Sequence, residues 1–389
     1  MSTDTPARDS RFDYIPPVDG LRAVAVLAVI VFHLRPWRLP GGYTGVDIFF
    51  VISGFVVTWS LRGTSFSRLG ELLRYFYARR VIRIVPALAA MLVVTTLMTL
   101  RFAPTRETMT ASSKTALAAS AGVSNVYLSF SRSGYFGAIA DRNPFLHTWT
   151  LGVEEQFYFL FPFLYFLWQR NPERRKRGAV IVAALSGVSL LLCAALSGAL
   201  EPHDFFLMPP RFWELGVGML LALTSESWQP RAASAGTAVT VAGFALSFAA
   251  LGAGLSMPFH ERFPFPGALL PVTGTAGMIV LACSRPHALA IRALSHPIPV
   301  YLGRISYSLY LWHWPTFVLF RWTVGMDGRL EAASALLISF LAANGSYYLL
   351  ERPLRRSTQA GRMPRLRLIG AGLCLMAGVA GAILVLFRP

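Results

Sequence analysis

Along this chain, apolar runs of nearly constant length alternate with short polar loops. The runs lie near residues 20 to 34, 45 to 61, 84 to 100, 150 to 168, 178 to 198, 210 to 224, 234 to 254, 267 to 284, 300 to 320, 332 to 350 and 368 to 387. Most approach the ~20 residues that an α-helix needs to cross a hydrocarbon core. The pattern predicts an all-α, polytopic transmembrane helix bundle with about 11 crossings, ten forming a core and one closing the chain.

A further run, TALAASAGVSNVYLSF at 115 to 130, is rich in Ala, Ser and Gly and carries Asn125. If it crossed, QRNPERRKR at 169 to 177 would lie outside, against the tendency of basic loops to remain cytoplasmic. We therefore read 102 to 149 as an external region with a re-entrant or interfacial helix over 115 to 130. The basic segments RGTSFSRLGELLRYFYARRVIR, NPERRKRG and ERPLRRSTQAGRMPRLR then share the cytoplasmic face. The N-terminal MSTDTPARDSRFDYIPP lacks the pattern of a cleaved signal, so the first run is expected to be retained, with a cytoplasmic N-terminus. The expected organisation is a tail at 1 to 17, a membrane domain at 18 to 354, and a basic loop with the final helix at 355 to 389.

Composition agrees with a membrane class. With 54% hydrophobic and 14% charged residues, the chain is too apolar for ordinary soluble domains. The net charge of +17 is scattered through short loops and forms no continuous basic face, so it points to membrane orientation and lipid contact, not nucleic acid. Cys193, Cys283 and Cys374 lie singly in apolar runs without CxxC spacing and read as packing residues.

Candidate chemistry concentrates in the hairpin from Val18 to Phe55, where Arg22, His33 and Asp47 interrupt apolar sequence. Ionisable groups at membrane depth cost roughly 2.5 to 3.5 kcal/mol each on insertion scales, which makes each a functional candidate. His33 lies about 21 Å along the first helix from Asp19, in the outer half of the membrane. Asp47 opens the second span from that side, Glu154 and Glu155 enter the fourth, and His313 lies about 20 Å into the ninth. A carboxylate orienting an imidazole that takes a proton from a hydroxyl is the minimal machinery of general-base catalysis. Structural readings stand beside each. His33 suits a hydrogen-bonded group near a helix end, and Asp47 suits a helix cap. Only one of Glu154 and Glu155 faces the interior easily, and His313, between Trp312 and Trp314, suits packing. His147 suits a turn or helix entry. In RYFYARRVIRIVPAL, Arg79, Arg80 and Arg83 precede the third span, and the i, i+3 pair Arg80 and Arg83 shares one face. Such a pair suits either phosphate recognition or anionic lipid.

Five segments, DGLRAVAVLAVIVFH, GGYTGVDIFFVISGF, RRVIRIVPAL, LHTWTLGVEEQFYFLFP and YLGRISYSLYLWHWP, in this order over residues 19 to 315, resemble the acyltransferase 3 family of integral membrane acyltransferases. The likeness is greatest to the bacterial branch that O-acetylates O-antigen and other envelope polysaccharides. It implies acyl transfer from cytoplasmic acyl-CoA, here acetyl-CoA as co-substrate and no metal, to a lipid-linked or envelope glycan across a bacterial inner membrane. His33 becomes the catalytic histidine, with Asp47 and Glu154 as acidic partners. Arg80 and Arg83 become the RxxR pair for the nucleotide end, Arg22 a further required basic group, and Arg79 and Tyr310 weaker transfers. Many relatives carry an external SGNH-type domain after the last span. Nothing here resembles it, which leaves open a periplasmic partner protein, a smaller acceptor or a truncated chain. The region from Phe102 to Thr150 and the loop from His260 to Phe265 are expected to shape the acceptor site.

Two other classes fit the residues. A transporter or flippase of lipid-linked glycans would use His33, Asp47 and Glu154 as a proton relay, though no inverted repeat is evident. A non-catalytic scaffold of a glycan-assembly complex would leave Arg22 unexplained. A metal site lacks close ligand spacing of the HExxH type.

Overall fold

The computed structural model describes residues 14–131, 142–169, 172–197, 203–258, 263–359 and 364–387. Parts of the N-terminal tail (1–13), of the external region (132–141) and of the expected acceptor loop (259–262) lie outside them. Among the described residues the regular structure is helical and contains no strand. In chain order the α-helices are α1 (Pro16–Leu34), α2 (Gly45–Trp59), α3 (Leu69–Phe102), α4 (Arg106–Ser120), α5 (Ser124–Phe130), α6 (Trp149–Gln169), α7 (Pro172–Leu196), α8 (His203–Phe206), α9 (Met208–Leu223), α10 (Ser225–Ser234), α11 (Thr237–Ser256), α12 (Leu269–Ser284), α13 (Leu289–Leu294), α14 (Pro297–Thr323), α15 (Arg329–Ser346), α16 (Arg352–Gln359) and α17 (Arg365–Leu386). A π-helical segment, Tyr347–Glu351, joins α15 to α16.

Each of the eleven apolar runs coincides with one of these helices, and the fold is an all-α polytopic bundle. Among the described residues, seven helical stretches are long and apolar enough to cross a membrane, and α12 is a shorter apolar helix. Helix α3 starts well before its apolar run, because the arginine-rich stretch is built from good helix formers such as Leu, Ala and Arg. The single helix expected over 115 to 130 is instead two, α4 and α5. Thr105 caps α4 by accepting the Thr108 N–H at 3.1 Å, and Gly122 breaks the run at φ +70°, a left-handed conformation open to glycine.

Two compact units divide the chain. The first comprises Met1–Glu71, Phe157–Asp204 and Pro209–Arg304, the second Leu72–Gln156, Phe205–Met208 and Ile305–Pro389. In the first unit α1 packs along α2, and α11 pairs with α12. Close approach of α2 and α9 depends on a reciprocal glycine pair. A Cβ on Gly54 would overlap the Leu215 backbone, and one on Gly218 would overlap that of Val51 and Phe55. Small residues let helix backbones meet in this way. The Tyr165 hydroxyl, donating to the Leu61 carbonyl at 2.6 Å, ties α6 to the end of α2.

Polar side chains do the joining in the second unit. Asn125 Nδ2 donates to the Phe206 carbonyl at 3.2 Å, and Gln156 Nε2 donates to Asn125 Oδ1 at 2.9 Å. Asn143 donates to Thr115 at 2.7 Å, while Trp314 Nε1 donates to the Asn143 carbonyl at 2.8 Å. Several helices keep apolar outer faces: Val188, Leu191, Val239, Leu246, Leu373 and Val385 on α7, α11 and α17 are all exposed. In a bilayer lipid covers such faces.

Candidate functional site

Charged chemistry in the first unit begins at the α1–α2 hairpin. Asp47 stands in the first turn of α2 and is fully buried. Thr44 holds the N-cap position, and Asp47 Oδ1 accepts a hydrogen bond from Arg211 Nη2 of α9 at 2.9 Å. Arg211 in turn has its Nε 3.2 Å from Oε1 of Glu214, one turn further along α9. All three side chains are fully buried, and the buried Asp204 lies within electrostatic range of the same guanidinium. Burial makes this network strongly interdependent, since losing one partner leaves an uncompensated charge in a medium that solvates it poorly.

His33 occupies the last turn of α1 and is 9% exposed. Its ring lies 5.4 Å from that of Phe32, which meets Tyr43 edge-on at 5.3 Å. Tyr43 packs on Phe263 at 4.9 Å, and the Arg211 guanidinium lies 5.2 Å from the Phe263 ring. A continuous aromatic path therefore runs from the histidine ring to the Arg211 cluster. Toward the start of α1, Arg22 finds its counter-charge in Asp19, Nη1 to Oδ1 at 3.5 Å. Asp19 also accepts from the Tyr14 hydroxyl at 2.5 Å, and Tyr14 receives a hydrogen bond from Arg304.

The second unit holds Glu154 together with a pair of imidazoles. His147 lies in a short 3₁₀ turn, Leu146–Thr148, that leads into α6, as its sequence context suggests. Its ring is 6.0 Å from that of His313 on α14, and both rings are buried. Tyr310 lies 5.6 Å from the first ring and 5.4 Å from the second. The Tyr310 hydroxyl donates to the His147 carbonyl and accepts from Thr150, both at 3.0 Å. His313 Nδ1 is 2.7 Å from the Tyr310 carbonyl. Glu154 lies within electrostatic range of Tyr310 and Tyr307, while Glu155 lies against Gly122. Both glutamates are half-buried.

The arginines of α3 belong to this unit as well. Arg79 is exposed and donates to the Tyr75 hydroxyl at 2.6 Å; Arg80 is half-buried, its guanidinium 5.7 Å from the Phe76 ring. Arg83 is within electrostatic range of Arg355 and Tyr307. Thus His33, Asp47 and Arg22 fall in the first unit, and Glu154, Arg79, Arg80 and Arg83 in the second. Among the described residues no three His, Cys, Asp or Glu side chains form a metal-ligating group.

Sequence reasoning missed Arg211 and Glu214, the groups that hold Asp47. A signal was present, because RFWELG places an arginine and a glutamate three residues apart inside an apolar run, and ionisable residues there are functional candidates. It also missed the pairing of His147 with His313, for which the local sequence carries no signal.

Comparison with known proteins adds a family. A profile described as an acyltransferase domain, that of the acyltransferase 3 family, matches residues 15–351. The O-acetyltransferase OatA of Staphylococcus aureus (strain NCTC 8325) is 30% identical over 357 residues, which cover 88% of this chain and 57% of the relative. The peptidoglycan O-acetyltransferase OatA of Listeria monocytogenes is 29% identical over 358 residues, covering 88% of this chain and 56% of the relative. The chain thus spans a little over half the length of these relatives. No solved structure matches it. The match over residues 15–351, on a polytopic helical fold with a buried histidine and acid in its first hairpin, shows that the chain belongs to the acyltransferase 3 family.

Proposed function

We propose that this protein is a membrane O-acyltransferase that moves an acyl group, acetyl in the first instance, from cytoplasmic acyl-CoA to a hydroxyl of an envelope glycan. The observation that carries this reading is the family match over residues 15–351, with relatives named as O-acetyltransferases across 88% of the chain. The Listeria relative's name specifies peptidoglycan, so a peptidoglycan-like glycan is the first acceptor to test, ahead of the O-antigen expected from the motifs.

His33 takes the acceptor hydroxyl's proton as the oxygen attacks the thioester carbonyl. The C–S bond then breaks, and the imidazolium returns the proton to the departing thiolate. Asp47, held in place by the buried Arg211, is the acidic partner of His33, and Glu154 is a further acid proposed for the reaction. Arg80 and Arg83 bind donor phosphates, with Arg22 and Arg79 as further basic groups. Basic loops on the cytoplasmic side orient the protein in a bacterial inner membrane with its N-terminus inside. A covalent acyl-histidine is the variant of this scheme.

Reconstitution with radiolabelled acetyl-CoA and a lipid-linked glycan provides the test. Wild-type protein is expected to label the glycan and His33→Ala to lose at least about a hundredfold of that rate, the usual worth of a general base. Undiminished transfer by His33→Ala would remove the histidine role, and absence of any transfer by the wild type to either glycan class would remove the acyltransferase reading.

A further inference from the structure

One end of the second unit is built from arginines that the scheme above uses only in part. Helix α3 brings Arg79, Arg80 and Arg83, α16 brings Arg355, and α17 begins at Arg365. Tyr75 gathers two of them: it accepts the hydrogen bond from Arg79, and the Arg365 guanidinium lies 5.0 Å from its ring. Aromatic faces attract cations without neutralising them, so the positive charge of this end stands.

Within it one carboxylate is placed with care. Glu351 is fully buried at the last position of the π-helical segment, a geometry found often at functional sites. It accepts a hydrogen bond from the Ser308 hydroxyl of α14, and Arg355 Nη2 lies 2.6 Å from its other oxygen. Tyr307, beside Ser308, donates to the Ile84 carbonyl at 2.9 Å and so fastens α14 to α3 next to Arg83. The two bonds hold α3, α14 and the π-helical segment in register. In consequence the single negative charge of Glu351 is committed to Arg355, while Arg83 and Arg355 stand within electrostatic range of each other as like charges. Arg355 keeps 34% of its side chain exposed. Two guanidiniums lie within electrostatic range of one another, one of them braced by a buried carboxylate and partly exposed, and planar guanidinium forks match phosphoryl oxygens.

We propose that Arg355, held by Glu351, completes with Arg83 a clamp spanning two helices for a phosphoryl group, and that its occupant is the pyrophosphate of the acyl donor. The identity of that occupant rests on the donor being a nucleotide thioester, as proposed above. An anionic lipid headgroup offers the same phosphoryl chemistry. The exposed Arg352 and Arg356 on the same helix suit it better, because Arg355 turns inward to Glu351.

The test uses the full chain in zwitterionic lipid nanodiscs, titrated calorimetrically with coenzyme A and separately with inorganic pyrophosphate. Arg355→Gln is expected to weaken coenzyme A binding about tenfold or more, the worth of a charged hydrogen bond. Arg355→Lys should recover part of the loss, Glu351→Gln should weaken binding several-fold by releasing Arg355, and Arg356→Gln should bind as wild type. Because Arg355→Lys retains the charge beside Glu351, it decides the matter if Arg355→Gln does not fold. Wild-type affinity in both Arg355 variants overturns the clamp and leaves the donor reading intact. If wild-type protein binds no coenzyme A, but binds pyrophosphate in an Arg355-dependent way, the clamp stands and the donor reading fails. Pyrophosphate binding indifferent to Arg355 overturns the clamp. So does a thermal stabilisation by phosphatidylglycerol that Arg355→Gln abolishes while coenzyme A binding stays unchanged, which assigns the arginine to lipid.

Discussion

Asp47 shows how much a single residue's meaning depends on its partner. An acid in the first turn of an apolar helix is visible in the sequence, and two roles, cap or catalytic acid, fit it there. In the folded protein it is bound to Arg211 at 2.9 Å, with Glu214 on the arginine's other side. Replacing Arg211 by Met strands buried carboxylates and is expected to cost about 3 to 5 kcal/mol of stability, read as a lowered midpoint of thermal unfolding in detergent. Arg211→Lys should lose less, because it keeps the charge and loses only the second arm of the fork. Tyr310 offers a gentler case. Tyr310→Phe removes one donated and one accepted hydrogen bond, those with His147 and Thr150, for a loss of roughly 1 to 3 kcal/mol. A much larger fall in acetyl transfer than in stability would bring the His147–His313 pair into the chemistry. Of the candidate residues, those in the first hairpin were legible because a lone ionisable group stands out in apolar sequence. The partner of Asp47 was not, because nothing in a spacing of 164 residues says that two side chains meet.

At the scale of elements, hydropathy located the eleven main helices, since a run that must satisfy its backbone in lipid has little choice but to be helical. It was less informative about what lies between them. The run from 115 to 130 breaks at Gly122, where a left-handed residue ends one helix and Glu155 occupies the space a side chain would need. Helix contacts were likewise not readable, though glycines hinted at them. Gly54→Val should force α2 and α9 apart and cost about 1 to 3 kcal/mol or more, whereas Gly187→Ala on α7, with nothing near its Cβ position, should be neutral or slightly stabilising. Melting curves of the two variants in one detergent make the comparison. Equal behaviour would mean that the Gly54 contact is not tight in solution.

For the whole molecule, arginine bias predicts which loops face the cytoplasm. In a background with the three native cysteines replaced, cysteines placed at the exposed Arg174 and Arg356 should stay unlabelled by a membrane-impermeant maleimide in right-side-out vesicles until the membrane is permeabilised. A cysteine at Arg106, in the expected external region, should label at once. The opposite pattern would invert the topology and, with it, the direction of transfer. By itself the sequence determined that the chain is an all-α polytopic protein, which residues are out of place in apolar helix, and which family its motifs resemble. Each of these is written in local order, as a run length, an isolated charge or a short string of residues. Only the tertiary structure decided that Arg211 and Glu214 hold Asp47, that two buried histidines share Tyr310, and that Glu351 braces Arg355 near Arg83. The Arg211–Glu214 and Glu351–Arg355 contacts follow helical spacing, but the meeting of Asp47 with Arg211, of His147 with Tyr310 and His313, and of Arg83 with Arg355 joins segments distant in the chain, a choice made by side-chain shape and buried charge across the fold and not by any period along it.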